Sequence, residues 1–286
     1  MGRKTDVSTV VIKETFRERF LLARFTRIPV LGRLIIRTFF DEDKMMYLPK
    51  DDVVAGLQKK TRTIQIGIVA EPKNVVLPSR IVEYFIKESR YIFIMNRCIC
   101  RTSNKCKDYP RNLGCIFLGK GVLKIPEKMG RMATQQEALG YLKRAREAGL
   151  VHLIGRNKID SVWLDTGPKE DLLSICSCCP CCCLWKMIPY LSPGVSDGIT
   201  RMPGVDVLVN EDECVGCGAC VKDDVCFVKA ISVEAGKARV DMGLCKGCGR
   251  CVEVCRQRAI ELRIEDQAYF EKSIETIEPL VDVKSE

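Results

Sequence analysis

Eight cysteines near the C-terminal end of the chain have the spacing of iron–sulfur ligands. They form two matching halves, C-V-G-C-G-A-C-x5-C from Cys214 to Cys226 and C-K-G-C-G-R-C-x3-C from Cys245 to Cys255. A tight loop with two residues between successive cysteines directs three thiolates at one site, and a [4Fe–4S] cubane needs a fourth thiolate from elsewhere. The sequence therefore predicts two [4Fe–4S] clusters.

In the two-cluster arrangement, the fourth ligand of each cluster comes from the other half of the repeat. The predicted ligands of the first cluster are Cys214, Cys217, Cys220 and Cys255. The predicted ligands of the second cluster are Cys245, Cys248, Cys251 and Cys226. Paired zinc sites also use C-x2-C spacing and are the alternative, although a triple C-x2-C-x2-C suits tetrahedral zinc poorly.

Residues 206–264 resemble the bacterial-type ferredoxins that carry two [4Fe–4S] clusters. The internal repeat supports this resemblance, because Lys229-Ala230-Ile231 after the first half matches Arg258-Ala259-Ile260 after the second. Two features differ from the family. The first half has five residues rather than three before its last cysteine, and Phe227 and Arg256 stand where the family usually has proline. The resemblance implies electron transfer.

A second group of cysteines lies in a polar loop in the middle of the chain. Its members are Cys98, Cys100, Cys106 and Cys115. Nearby cations are expected to lower the pKa of these thiols and to offset the charge of a thiolate centre. They are Arg97, Arg101, Lys105, Lys107 and Arg111. We expect iron here, with a zinc-stapled loop as the alternative and buried inert thiols as a less favoured one.

A third group places six thiols within eight residues. Its members are Cys176, Cys178, Cys179, Cys181, Cys182 and Cys183. Neighbouring side chains of an extended segment diverge, so not all six face one small site. The favoured interpretation is an additional cluster or a thiol-active site, and loose metallothionein-like metal binding is the alternative. Some of the thiols are expected to reach the Cys98–Cys115 loop or to form an exchangeable disulfide.

The chain as a whole resembles poorly characterised ferredoxin-family proteins of anaerobes. In these proteins a C-x-C…C…C segment, a C-x-C-C-x-C-C-C run and a C-terminal dicluster ferredoxin follow one another, as they do here. The resemblance implies electron transfer with more than two metal sites. It implies no particular substrate.

The expected fold class is α+β, with an N-terminal α/β-type domain that carries the extra cysteines and a C-terminal ferredoxin-like domain. The expected boundaries are 1–60 for a basic amphipathic helical segment, 61–205 for the α/β domain, 206–264 for the two-cluster domain and 265–286 for a tail. Periodicity predicts strands at Ile64–Ile68, Tyr91–Met95, Val151–Ile154 and Ser161–Leu164. Helices are predicted after Ser79 and after a capping box at Thr134 and Glu137.

These elements have two consequences for the cysteine sites. The predicted β-α-β order places the Cys98 loop at the end of a strand, where open α/β sheets usually have their sites. Both extra cysteine groups follow predicted strands, so we expect them to converge on one side of the domain. His152, the sole histidine, lies in an apolar run and is expected to pack there rather than to ligate a metal.

The rest of the chain limits partners and compartment. Arginines interrupt each apolar run of the first 40 residues, which predicts no membrane span. Packing on its own domain is the default for this segment, and contact with an anionic membrane or a partner is the alternative. The 18 cysteines without an apolar leader indicate a reducing, cytoplasmic and anaerobic setting. The net charge of +9 comes with no nucleic-acid motif.

Two function classes remain open from the sequence. The favoured one is an electron-transfer protein that passes single electrons to or from a partner redox enzyme. The alternative is an oxidoreductase with its own thiol- or cluster-based active site at Cys98–Cys115 or Cys176–Cys183. Metal storage or redox sensing is a third, weaker interpretation.

Overall fold

The computed structural model describes residues 3–54, 76–222 and 225–285. The helices are α1 (Arg3–Thr15), α2 (Arg19–Phe25), α3 (Pro29–Phe39), α4 (Ser79–Glu88), α5 (Ile99–Ser103), α6 (Gln135–Glu147), α7 (Lys158–Leu164), α8 (Pro193–Ser196), α9 (Arg250–Val254) and α10 (Tyr269–Ile277). The strands are β1 (Lys44–Tyr47), β2 (Ile92–Met95), β3 (Ile116–Leu118), β4 (Gly130–Met132), β5 (Val151–Arg156), β6 (Leu173–Cys178), β7 (Ile199–Arg201), β8 (Val205–Val209), β9 (Ile231–Glu234), β10 (Lys237–Val240) and β11 (Ile260–Ile264). The predicted strand at Ile64–Ile68 lies outside the described residues.

Mixed helix and strand structure surrounds a sheet with the order β4-β2-β3-β6-β5-β1-β7. Strand β2 pairs antiparallel with both of its neighbours, and β6 pairs antiparallel with β3 and β5. The parallel pair in this sheet is β1 with β7. The parallel pairing implied by the predicted β-α-β order is therefore not found around β2. The Cys98 loop still follows the carboxyl end of β2, as expected, and it also reaches β6 through the Arg101 hydrogen bond to the Ser177 carbonyl oxygen.

Several predicted elements are confirmed, and one is wrong. Helix α4, strands β2 and β5, and the capping box of α6 occur where the periodicity predicted them. Residues 161–164 belong to helix α7 instead of a strand. The Asn157 side chain begins this helix by accepting a hydrogen bond from the Asp160 N–H at 3.0 Å. An N-cap of this kind outweighs a short apolar run, which does not distinguish strand from helix.

One hydrophobic core joins the ferredoxin-like part to the rest of the chain. Residues of α4 and α6 pack with residues of β8, β11 and α10 in a continuous buried cluster. Val54 forms a parallel bridge with Leu262 of β11, and Leu262 is completely buried. The C-terminal segment is therefore packed on the larger part and is not a tethered module.

The N-terminal helices present an apolar surface to solvent. On α3, Ile35 packs inward, while the side chains of Val30 and Leu34 are 75% and 65% exposed beside the exposed Arg33 and Arg37. Among the described residues, no helix combines the length and the apolar character needed to cross a bilayer. Ala23 of α2 and Ile35 of α3 pack in a buried cluster with Met45 and Tyr47 of β1, in line with the default expectation that this segment packs on its own domain. Contact of the exposed surface with a membrane or a partner stays the untested alternative.

Candidate metal centres

The two halves of the ferredoxin-like segment have the same backbone conformation. Gly216 and Gly247 both have φ of +64°, and the residues that follow the last cysteines, Lys229 and Arg258, have φ of +56° and +57°. A side chain at Gly216 would place its Cβ 2.3 Å from the Gly236 carbonyl oxygen. The internal repeat in the sequence thus corresponds to a repeat in structure, with left-handed residues at equivalent turns.

The thiols predicted to bind the first cluster lie around one small cavity. Cys214, Cys217, Cys220 and Cys255 all line it. Burial raises the pKa of Cys220, and the negative charges of the other three thiolates raise it further. The Ala238 N–H donates to the Cys214 sulfur at 3.3 Å. These contacts bring together three thiols of one loop and one thiol from the other half.

The thiols predicted to bind the second cluster also lie together. Burial raises the pKa of Cys248 to about 11, and the charges of Cys245 and Cys226 contribute to the rise. The pKa of Cys251 is raised by burial and then by the charges of Cys248, Cys245, Cys226 and Cys220. The last of these neighbours belongs to the first set. The two sets are therefore adjacent at Cys220 and Cys251.

The chemistry of these donors fits iron–sulfur clusters. Cys220, Cys245, Cys248 and Cys251 have raised pKa values and do not ionise together in the absence of a cation, whereas a metal deprotonates a coordinating thiol outright. Backbone N–H groups point at the sulfurs, including the Ala230 N–H on Cys226 at 3.2 Å and the Gly247 N–H on Cys245 at 3.4 Å. Hydrogen bonds of this kind to cluster sulfurs raise or lower the reduction potential.

The remaining ten cysteines form two sites, and each site combines residues of the Cys98–Cys115 loop with residues of the Cys176–Cys183 run. We name the first the tetrathiol site, and its members are Cys106, Cys179, Cys181 and Cys182. We name the second the six-thiol site, and its members are Cys98, Cys100, Cys115, Cys176, Cys178 and Cys183, which line one cavity. Cys179 of the tetrathiol site lines the same cavity, so the two sites adjoin there. The two groups converge as expected, but Cys106 lies apart from the other three thiols of its own loop.

Strand pairing assembles the six-thiol site. Strand β2 leads to Cys98 at the start of α5, and Cys115 immediately precedes β3. Because Ile116 of β3 pairs with Ile175 of β6, the Cys115 and Cys176 sulfurs approach to 3.6 Å. Cys176 and Cys178 share one face of β6, since strand side chains alternate. Cys183 returns through the following turn and its thiol donates to Cys178 at 3.1 Å.

A buried guanidinium provides positive charge at this site. Arg101 is completely buried and donates to the carbonyl oxygens of Pro110 at 2.8 Å and Ser177 at 2.7 Å, and to that of Leu113. A hydrogen bond with Cys100 lowers the pKa of Cys98 to about 7, and the charge of Arg101 contributes to this shift. Of the five predicted cations, the other four are exposed.

Two contacts to the six-thiol site could not be predicted from the sequence, because the residues that make them lie in distant segments of the chain. The Arg250 guanidinium, between two ferredoxin cysteines, donates to the Cys178 carbonyl at 2.8 Å. The Tyr47 hydroxyl lies 4.0 Å from the Cys183 sulfur. Hydrogen bonds from Cys176 and Cys183 hold the pKa of Cys178 well below its usual value, and Arg101 and Arg250 lower it further.

The six thiols form part of the wall of an apolar cavity of about 400 Å³. The cavity is closed on one side by Ile12 of α1, Leu22 of α2 and Phe16, which lies in the turn between these helices. Trp163 and Trp185, the two tryptophans of the chain, line it as well. The Nδ1 atom of His152 lies 3.2 Å from the Ser177 hydroxyl oxygen. Burial lowers the pKa of His152 to about 3, and the residue is not part of the cavity wall.

The family model that matches the chain is the 4Fe-4S binding domain, over residues 238–261. Three relatives are similar over the ferredoxin-like part. A subunit of the ion-translocating oxidoreductase complex of Methanosarcina acetivorans is 46% identical over 61 residues, which are 21% of this chain and 22% of that protein. The indolepyruvate oxidoreductase subunit IorA of Pyrococcus horikoshii is 43% identical over 53 residues, 18% and 8% of the two chains. The polyferredoxin-like subunit of the aliphatic sulfonate oxidoreductase of Pyrococcus furiosus is 44% identical over 52 residues, 18% and 29% of the two chains.

These similarities are local. The match spans less than a third of the length of each of these relatives. No solved structure matches the chain. What the comparisons establish is a C-terminal 4Fe-4S binding domain in an iron–sulfur protein whose relatives are subunits of oxidoreductases.

Proposed function

We propose that the protein is an iron–sulfur electron-transfer component. It carries two [4Fe–4S] clusters in residues 206–264 and at least one further cluster at the six-thiol site, and it passes single electrons to or from a partner redox enzyme. The observation that supports this proposal is the contiguity of the thiol sites. Each predicted cluster position adjoins the next one through named contacts.

The first step of the path joins the two ferredoxin clusters. Cys220 of the first set and Cys251 of the second set are close enough for their charges to interact. Clusters held by these two residues have neighbouring ligands. An electron that enters at the exposed Cys217 side therefore has a short route to the second cluster.

The second step joins the ferredoxin part to the six-thiol site. Burial raises the pKa of Tyr47, and the charges of Cys183 and Cys178 in the six-thiol site and of Cys248 in the ferredoxin-like part raise it further. Tyr47 therefore lies between these two sites. The Phe227 ring, which replaces the usual proline after Cys226, packs on the Tyr47 ring with centroids 4.9 Å apart. Together with the Arg250 bond to Cys178, these contacts hold the second cluster against the larger part of the chain.

The proposal is tested by counting the clusters of the full chain purified without oxygen. We expect more than about eight irons and eight sulfides per chain, because the two ferredoxin clusters account for about eight of each. The Cys178→Ser variant is expected to lose the excess above eight and to keep the ferredoxin signals in electron paramagnetic resonance. A wild-type count of eight, unchanged in Cys178→Ser, would contradict a further cluster.

A second candidate function is an oxidoreductase whose active site is the six-thiol site. The apolar cavity beside these thiols favours it, because its volume of about 400 Å³ lies in the range of small-molecule pockets. Arg97 and Asp160 are polar groups in its wall. A carrier needs space here only for the cluster itself, whereas a catalyst also needs a place for substrate next to its redox centre.

Ligand access to the cavity discriminates between these two functions. Anilinonaphthalene sulfonate is expected to bind wild type with energy transfer from Trp163 and Trp185. The Ile99→Phe variant, which narrows the cavity, is expected to bind the dye several-fold more weakly. A matched control is Leu123→Phe, because Leu123 is 58% exposed and outside the cavity wall. Equal binding by all three proteins would favour the electron carrier.

A further inference from the structure

We infer that the tetrathiol site binds one zinc ion and is separate from the electron path. Its four sulfurs, from Cys106, Cys179, Cys181 and Cys182, all lie within 4.8 Å of one another. The residues that form it come from two segments far apart in the sequence. Such a compact set of thiols is the donor arrangement of a single tetrahedral ion.

The spacing of the sulfurs separates one ion from a cubane. A Zn–S bond of about 2.3 Å in a tetrahedron gives a sulfur–sulfur edge of about 3.8 Å. The Cys181 sulfur lies 3.6 Å from each of the Cys106, Cys179 and Cys182 sulfurs. The irons and sulfides of a cubane hold its ligand sulfurs further apart. Within the described part of the chain, the eight ferredoxin thiols form no group as compact as this one.

The site is also closed, which is typical of structural zinc. Cys106, Cys179 and Cys182 are buried and Cys181 is half-buried, so the four sulfurs are largely closed to solvent and can fill all four positions of a tetrahedral ion. Structural zinc sites have four protein ligands, whereas catalytic ones keep a position free. The contacts that lead to the ferredoxin clusters, from Tyr47 and Arg250, reach Cys183 and Cys178 rather than these four residues.

The chain gives this ion a clear structural role. Cys178 and Cys179 are adjacent, as are Cys182 and Cys183, and in each pair one residue belongs to each site, while Cys179 also lines the cavity of the six-thiol site. The Asn104 amide donates to the carbonyls of Cys100 and Cys182, which ties the loop after α5 to the same turn. Zinc that holds Cys179 and Cys182 on one side would fix Cys178 and Cys183 on the other.

The test compares metal content and coordination in the full chain. Wild type is expected to contain about one zinc per chain, with four sulfur neighbours at about 2.3 Å in the zinc K-edge X-ray absorption spectrum. Cys106→Ser is expected to lose at least tenfold in zinc affinity and to keep iron and sulfide. The matched control is Cys115→Ser in the six-thiol site, which is expected to keep zinc and to lose iron and sulfide.

Several results would overturn the assignment. One such result is that the wild-type protein contains no zinc. Another is that these residues bind a single iron ion without sulfide. A third is a Cys106→Ser variant that loses iron and sulfide in cluster proportion. If Cys106→Ser does not fold, the wild-type absorption spectrum still decides. A failure here leaves the electron-transfer proposal intact, because that proposal depends on the ferredoxin clusters and the six-thiol site.

Discussion

Replacing Cys255 by serine is expected to destroy the cluster held by Cys214, Cys217 and Cys220, although Cys255 lies in the other half of the repeat. The reason is that these four thiols line one cavity, so the cluster would lose one of its four thiolates. The measurement is electron paramagnetic resonance of the reduced protein together with iron and sulfide analysis. About half of the ferredoxin signal should disappear.

The matched variant is Cys226→Ser. It is expected to damage the cluster of Cys245, Cys248 and Cys251, because Cys226 raises the pKa of all three of these thiols through its charge. The remaining signals of the two variants should therefore differ and should add up to that of wild type. Loss of the same cluster in both variants, or the reverse pattern, would rule out the crossed ligand sets.

Replacing Arg101 by methionine is expected to lower the free energy of unfolding by about 3 kcal/mol or more, because three carbonyl oxygens would lose their donor and each buried unsatisfied group costs about 1–3 kcal/mol. The guanidinium is completely buried and satisfies three carbonyl oxygens. One of these belongs to Ser177, between Cys176 and Cys178. The variant is therefore expected to lose the cluster of the six-thiol site as well. Denaturant unfolding and iron analysis of the anaerobic protein measure the two effects.

Arg111→Met provides the control for this substitution. Arg111 lies in the same loop but its side chain is exposed, so a change within about 0.5 kcal/mol is expected. If Arg101→Met keeps both its stability and its full iron content, the guanidinium neither organises the loop nor supports the six-thiol site. Equal losses in both variants would point to the charge of the loop rather than to the buried contacts.

The cysteine motifs were the most predictable part of the molecule, because the spacing of cysteines within one short loop determines which thiols come together. Cys214, Cys217 and Cys220 lie on one tight loop, so their convergence follows from the sequence between them. The division of the other ten cysteines was not predictable in this way. It depends on the register of β3 against β6 and on the turn after Cys178, and adjacent residues such as Cys182 and Cys183 belong to different sites.

Local signals also determined some elements and misled on others. The capping box at Thr134 and the apolar stripe of α4 predicted their helices because both patterns lie within one element. Residues 161–164 have a pattern that fits either a strand or a helix, and the cap at Asn157 decides for the helix. Contacts such as that of Tyr47 with Cys183 join segments more than 100 residues apart, and no local sequence pattern predicts them.

The shared core of the ferredoxin-like part and the larger part has a kinetic consequence. Val54 is bridged to Leu262, Arg250 is bonded to Cys178, and Phe227 packs on Tyr47. A carrier domain on a flexible linker would deliver electrons by swinging between docking positions, at a rate that falls as the solvent becomes more viscous. In the proposed carrier, these contacts would hold the clusters at a fixed separation. Electron transfer within the chain would then depend on tunnelling distance and driving force, and solvent viscosity would act only on the encounter with a partner protein.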